Sequence, residues 1–130
     1  MTCPNCGGDE LVFPVPETVH EHLPDDRVGA TICTHCLRVS PADEAPEDYP
    51  DFTTVSDAFP TDGETSAVLA VLLALLDRLV LHREDADRVA AVAEGRGVDV
   101  LLFLDRLAAD GSIDPELDVG RRREQLEQLI

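Results

Sequence analysis

Two C-x2-C pairs, Cys3-Pro4-Asn5-Cys6 and Cys33-Thr34-His35-Cys36, hold all four cysteines of this 130-residue chain. They constrain the fold more than any other feature. Two intervening residues let a tight turn aim both sulfurs of a pair at one point. Pro4 pre-sets the first turn, and Gly7 offers the positive φ by which the chain leaves it. Two such knuckles supply four thiolates, the closed tetrahedral shell of a structural zinc ion. The expected ligands are Cys3, Cys6, Cys33 and Cys36, with one structural Zn2+ per chain. A redox dithiol would want a βαβ context, which is absent here. Four cysteines also suit an iron–sulfur centre. His35 is expected to point outward from its knuckle, and His20 and His22 to be exposed loop residues. His82 falls at a helix junction.

The 26 residues between the knuckles leave room for short strands around Leu11-Val12-Phe13 and Val28 to Ile32, with a third at Leu37-Arg38-Val39. About 40 residues cannot build a sufficient hydrophobic core, so the metal stands in for one. Residues 1–40 therefore read as a zinc ribbon.

Residues 41–60, from Pro41-Ala42-Asp43-Glu44 to Phe59-Pro60, are acidic and proline-rich. They lack the periodicity of a helix or strand and read as a linker. Residues 61–130 contain no cysteine and read as a helical domain. Thr61-Asp62-Gly63-Glu64 has the form of a capping box, with Thr61 as cap, opening a helix to about Leu81. Its middle, Ala67 to Leu76, is apolar on every side, which requires burial all round or an oligomer interface. A second helix spans about Arg83 to Glu94, with Ala86, Val89, Ala90 and Ala93 on one face. A third spans about Val98 to Asp110, its core stripe formed by Val100, Leu101, Leu104, Leu107 and Ala108, leaving Leu102 and Phe103 on the charged side. A fourth spans about Val119 to Ile130 with Asp118 as cap. Asp114-Pro115-Glu116 has the form of a single capped turn. The fold class expected is α+β, mostly α: a four-cysteine ribbon followed by a bundle of about four helices.

The charge balance speaks to habitat. There are 27 Asp and Glu against 10 basic residues, for a net charge of -17. Every basic residue is arginine. Such a surface suits a cytoplasm at molar salt, where the Debye length falls to about 3 Å and self-repulsion is screened. The implied source is an extreme halophile, a salt-loving archaeon. No basic and apolar leader precedes the first knuckle, and the apolar run ending at Leu76 is shorter than the roughly 20 residues of a membrane span. The expected location is cytoplasmic.

Cys3-Pro4-Asn5-Cys6-Gly7-Gly8, the Pro14-Val15-Pro16 bend, Cys33-Thr34-His35-Cys36-Leu37-Arg38-Val39 and the tail from Leu104 to Leu129 together resemble a haloarchaeal family of small zinc-ribbon proteins of unknown function. The resemblance runs the full length. It implies halophilic origin and zinc, and no activity. Leu37 departs from the pattern by standing where glycine often follows such a knuckle.

No Ser–His–Asp set, phosphate loop or H-E-x-x-H motif is present, and four thiolates leave no open metal position, so the expectation is not an enzyme. The function expected is a protein-interaction adaptor, with a protein partner or a second copy of the chain meeting the helical domain; Phe103 is expected to be contacted either by residues of the ribbon or by a second chain. The competing expectation is a nucleic-acid-associated factor of transcription or translation. Arg121-Arg122-Arg123, the sole basic run, separates the two. As structural residues, Arg122 and Arg123 lay their stems along the apolar stripe while Arg123 pairs with Glu127.

Overall fold

The computed structural model describes residues 2–24 and 27–130. Three antiparallel strands, β1 (Glu10–Pro14), β2 (Gly29–Cys33) and β3 (Val39–Ala42), form one sheet in the order β1-β2-β3. Glu10 pairs with Cys33 and Pro14 with Gly29, while Ile32 pairs with Val39 on the other side. The central strand Gly-Ala-Thr-Ile-Cys is buried at all five positions. A four-residue helix α1 (Glu17–His20) interrupts the path from β1 to β2. His22, just past it, is buried rather than exposed, because its Nδ1 sits 3.0 Å from Asp85 Oδ1 across the domain.

Four longer helices follow: α2 (Gly63–Asp77), α3 (Arg83–Gly95), α4 (Val100–Ala109) and α5 (Val119–Glu127). Together with the sheet they make the chain an α+β protein. The cap of α2 is Asp62, one residue after the expected Thr61; its carboxylate accepts from the Thr65 backbone N–H and hydroxyl. Asp99 and Asp118 cap α4 and α5 in the same way, accepting from the N–H of Leu102 and of Arg121. After Asp77 the α-helix stops, and Leu79–Leu81 form a 3-10 turn. Leu81 is exposed there, so the expected helix end at Leu81 is four residues too late.

Every residue of α2 from Thr65 to Leu73 is buried. Its all-round apolar surface is covered within the chain, chiefly by α3 and by β3. One continuous apolar core runs from Phe13 in the sheet to Leu126 in α5. Residues 41–60 place Phe52, Val55, Ala58 and Phe59 in that core. The four phenylalanines make a line of ring contacts: Phe13 to Phe52 at 5.4 Å, Phe52 to Phe59 at 5.4 Å and Phe59 to Phe103 at 5.1 Å. Phe103 is therefore buried within the single chain, its ring against that of Phe59, a residue of the acidic segment. Leu102 remains exposed.

The same segment closes over the start of α2. A Cβ on Gly63 would collide with the Cβ of Tyr49, so only glycine fits where the two segments cross. At the other end of the segment, the Ser56 hydroxyl donates to Asp110 Oδ2 at 2.6 Å and accepts from the Ala58 N–H.

Candidate metal centre

The two knuckles are built alike. In the first, Gly7 N donates to Cys3 O and Cys3 N to Gly8 O, each at 2.8 Å. In the second, Leu37 N donates to Cys33 O at 3.2 Å and Cys33 N to Arg38 O at 3.0 Å. Leu37 is thus the counterpart of Gly7, and it shares the left-handed backbone: φ is +79° at Gly7 and +61° at Leu37. A branched residue in that region is strained. Leu37 is nonetheless almost wholly buried, so its side chain fills core space that a glycine would leave empty.

This duplicated geometry brings Cys3, Cys6, Cys33 and Cys36 together, with all four Sγ atoms within 4.8 Å of one another. Cys3 Sγ lies 3.7 Å from Cys36 Sγ, and Cys6 Sγ lies 3.4 Å from Cys33 Sγ. Four sulfurs at about 2.3 Å from a tetrahedral ion stand about 3.8 Å apart, so the spacing fits a single metal. A disulfide would need about 2.05 Å, and all four thiols are free. Cys3, Cys33 and Cys36 are buried, and Cys6 forms the exposed rim.

The surroundings are shaped to thiolates. The N–H groups of His35 and Cys36 both point at Cys33 Sγ from 3.4 Å, and Asn5 Nδ2 reaches Cys36 Sγ at 3.8 Å from the opposite knuckle. A Cβ on Gly8 would stand 3.2 Å from Cys33 Sγ and 3.4 Å from Cys6 Sγ, so Gly8 keeps the cage open. Burial pushes the Cys36 thiol up to about 12, against the lowering pull of the backbone at Arg38 and of Asn5. A coordinated cation reverses that logic, since a metal-bound thiol loses its proton outright.

The second knuckle is tied to the helical half. Asp114 N donates to His35 O and Glu116 N to Cys36 O, both at 2.8 Å. The Asp114-Pro115-Glu116 stretch is accordingly not a capped turn but an irregular strap laid on the knuckle, with Ile113 and Leu117 buried on either side of it. This contact had no signal in spacing or periodicity. His35 is exposed, and His20 turns its Nε2 to Arg27 O at 2.7 Å. Neither belongs to the cysteine cluster.

The arginine run divides. Arg123 Nη1 donates to Glu127 Oε2 at 2.8 Å, the expected i, i+4 pair. Its Nε lies 3.0 Å from Asp105 Oδ1 but off the N–H axis, which makes that contact an ion pair rather than a hydrogen bond. Arg122 Nη1 donates to Gln125, and Arg121 is exposed. Among the described residues no helix is long and apolar enough to cross a membrane.

A small antiparallel sheet that carries a four-cysteine cluster and is fused through one core to a helical layer defines the class: an α+β protein with an N-terminal four-thiol site. Over residues 2–130 the chain belongs to a family of unknown function, DUF6276. No curated protein and no solved structure matches it.

Proposed function

We propose that Cys3, Cys6, Cys33 and Cys36 hold one structural zinc ion, and that the protein is a non-enzymatic interaction adaptor in the cytoplasm of a halophilic archaeon. The observation that carries the metal reading is the four-sulfur cage, spaced for one tetrahedral ion. Soft thiolate donors favour zinc or iron over calcium and magnesium. A four-thiolate shell has no open position for water or substrate, so the ion would supply folding energy and not Lewis-acid chemistry. The habitat reading rests on the charge of -17 without lysine.

The adaptor reading is supported by the exposed apolar side chains Val80, Leu81, Leu102 and Ile130 on the helical layer. A nucleic-acid role has less behind it. Of the basic run, Arg122 and Arg123 are engaged inside the chain, which leaves Arg121 alone to meet phosphate.

Elemental analysis of the protein purified in molar KCl tests the metal, with one zinc per chain expected. Iron with a visible absorption band would move the assignment to a cluster; no stoichiometric metal would end it. A nuclease-treated pull-down in the same salt tests the role. A protein partner that survives the nuclease supports the adaptor. Bound RNA or DNA that is lost on Arg121→Ser favours the alternative.

A further inference from the structure

We infer, on the zinc reading of the cysteine cage, that the cage is also a peroxide-sensitive switch: hydrogen peroxide joins Cys6 to Cys33 in a disulfide, and the ion is released.

The four sulfurs are not equivalent. Cys3, Cys33 and Cys36 are each at most 3% exposed, whereas Cys6 stands in the exposed turn from Pro4 to Gly7. Their hydrogen bonds differ too. The N–H groups of His35 and Cys36 donate to Cys33 Sγ, and Asn5 Nδ2 donates to Cys36 Sγ. Among the described residues no N–H donates to Cys6 Sγ. A donated hydrogen bond draws electron density from a thiolate and blunts it as a nucleophile, while exposure admits the oxidant. Only Cys6 combines an exposed position with a sulfur free of such donors.

A resolving partner is already in place. Cys6 Sγ lies 3.4 Å from Cys33 Sγ, closer than the 3.7 Å between Cys3 and Cys36. Joining the two sulfurs at about 2.05 Å takes a movement of about 1.4 Å. Cys33 is the last residue of the buried central strand, so Cys6 is the one to move. Gly7 follows it, and an added Cβ there would meet nothing within 4 Å, so the turn is not packed on that side.

The oxidation takes two steps. The Cys6 thiolate attacks one peroxide oxygen; an S–O bond forms, the O–O bond breaks, and hydroxide leaves. The Cys33 thiolate then attacks the sulfur of this sulfenic acid; the S–S bond forms, the S–O bond breaks, and a second hydroxide leaves. The two sulfurs lose two electrons in all, and the two peroxide oxygens gain them. Cys3 and Cys36 are then the only thiolates left, too few for a closed tetrahedral shell, and the cage lets the ion go. The second knuckle carries the change outward, because His35 O and Cys36 O accept the backbone bonds from Asp114 and Glu116.

Stepwise addition of hydrogen peroxide to the full chain, purified in molar KCl with its zinc counted beforehand, tests the switch. A chromogenic chelator reads the ion. Zinc release that tracks the added peroxide is expected, with rebinding after dithiothreitol and fresh zinc. Alkylation of the remaining thiols under denaturing conditions and cleavage after arginine should then give residues 1–27 joined to residues 28–38. Tandem mass spectrometry should place the alkyl groups on Cys3 and Cys36. Wild-type protein suffices, so no ligand variant has to fold. No zinc before the oxidant is added overturns the zinc reading and the switch with it. Zinc present and retained, with the thiols still reduced, overturns the switch alone. Zinc lost with Cys3 joined to Cys36, or with sulfinic acid and no disulfide, overturns the assignment to Cys6 and Cys33.

Discussion

The backbone N–H of Glu116 donates to the carbonyl of Cys36 at 2.8 Å, so a sulfur-bearing residue of the second knuckle is bonded directly to the strap between α4 and α5. A change at the cysteine cage therefore reaches the helices without crossing the acidic segment.

The first prediction follows from that bond. From sequence alone, loss of one ligand is expected to unfold the ribbon and spare the helices. With the strap seated on the knuckle and α2 covered by β3, Cys36→Ser should instead lower the stability of sheet and helices together. Far-UV circular dichroism during thermal unfolding reads this. A helical signal that melts at the wild-type midpoint after metal loss would count against it.

The second concerns Leu37, held at φ +61° and 1% exposed. Leu37→Ala removes buried side chain at a cost of about 2–5 kcal/mol and keeps the strain. Leu37→Gly removes the same side chain and also relieves a left-handed penalty of about 1–2 kcal/mol. The glycine variant should be the more stable of the two, reversing the usual order at a buried position. Denaturant midpoints of the pair decide it, and an alanine variant equal to or above glycine would show that no strain is stored there.

The third concerns Phe59, which touches both Phe52 and Phe103. Phe59→Ala should destabilise the protein by about 3–5 kcal/mol. Leu102→Ala, at an exposed site next to Phe103, should stay within about 0.5 kcal/mol. Similar losses at both positions would mean that the ring line does not anchor residues 41–60.

The fourth concerns acid. Hydrogen bonds from Thr65 hold the Asp62 carboxyl below its ordinary value, and those from Ser112 and Ser56 do the same for Asp110. A depressed folded-state pKa contributes stability that is complete above the unfolded value of about 3.9 and is lost as pH falls through the folded value. Stability should therefore decline below about pH 4 from these groups, and Asp110→Asn should flatten part of that decline. Urea midpoints from pH 6 to pH 2.5 measure it; identical slopes for wild type and variant would remove Asp110 from the account.

The fifth concerns salt. A net charge of -17 should make the thermal midpoint fall as KCl is diluted from molar to millimolar, because screening of carboxylate repulsion is withdrawn. An unchanged midpoint would contradict the halophilic reading.

Much of this was legible from local rules. The C-x2-C spacing placed four cysteines at one point because a knuckle is a property of a few consecutive residues. Asp118 marks a helix start through a side chain that bonds three residues on; Asp99 does the same for α4, where periodicity alone began the helix at Val98. Asp62 displaced Thr61 as cap because both are competent there, and the one whose carboxylate can also take the Thr65 hydroxyl prevails. Long-range pairing was not legible. Phe52 and Phe59 stand in a proline-rich acidic stretch whose average character hides them, and nothing local says that Phe59 meets Phe103. The strap on the knuckle uses backbone groups alone, which every residue type carries.

The crossing of Tyr49 over Gly63 gives the molecule an optical gauge of its own. The chain has one tyrosine and no tryptophan, so its ultraviolet emission comes almost entirely from a single ring. Burial, and next the Glu64 carboxylate, raise the phenol above its ordinary value. Any event that lifts the acidic segment from the start of α2 frees that ring into solvent. Intensity and anisotropy would then follow the separation in the unlabelled protein, with no competing fluorophore to subtract.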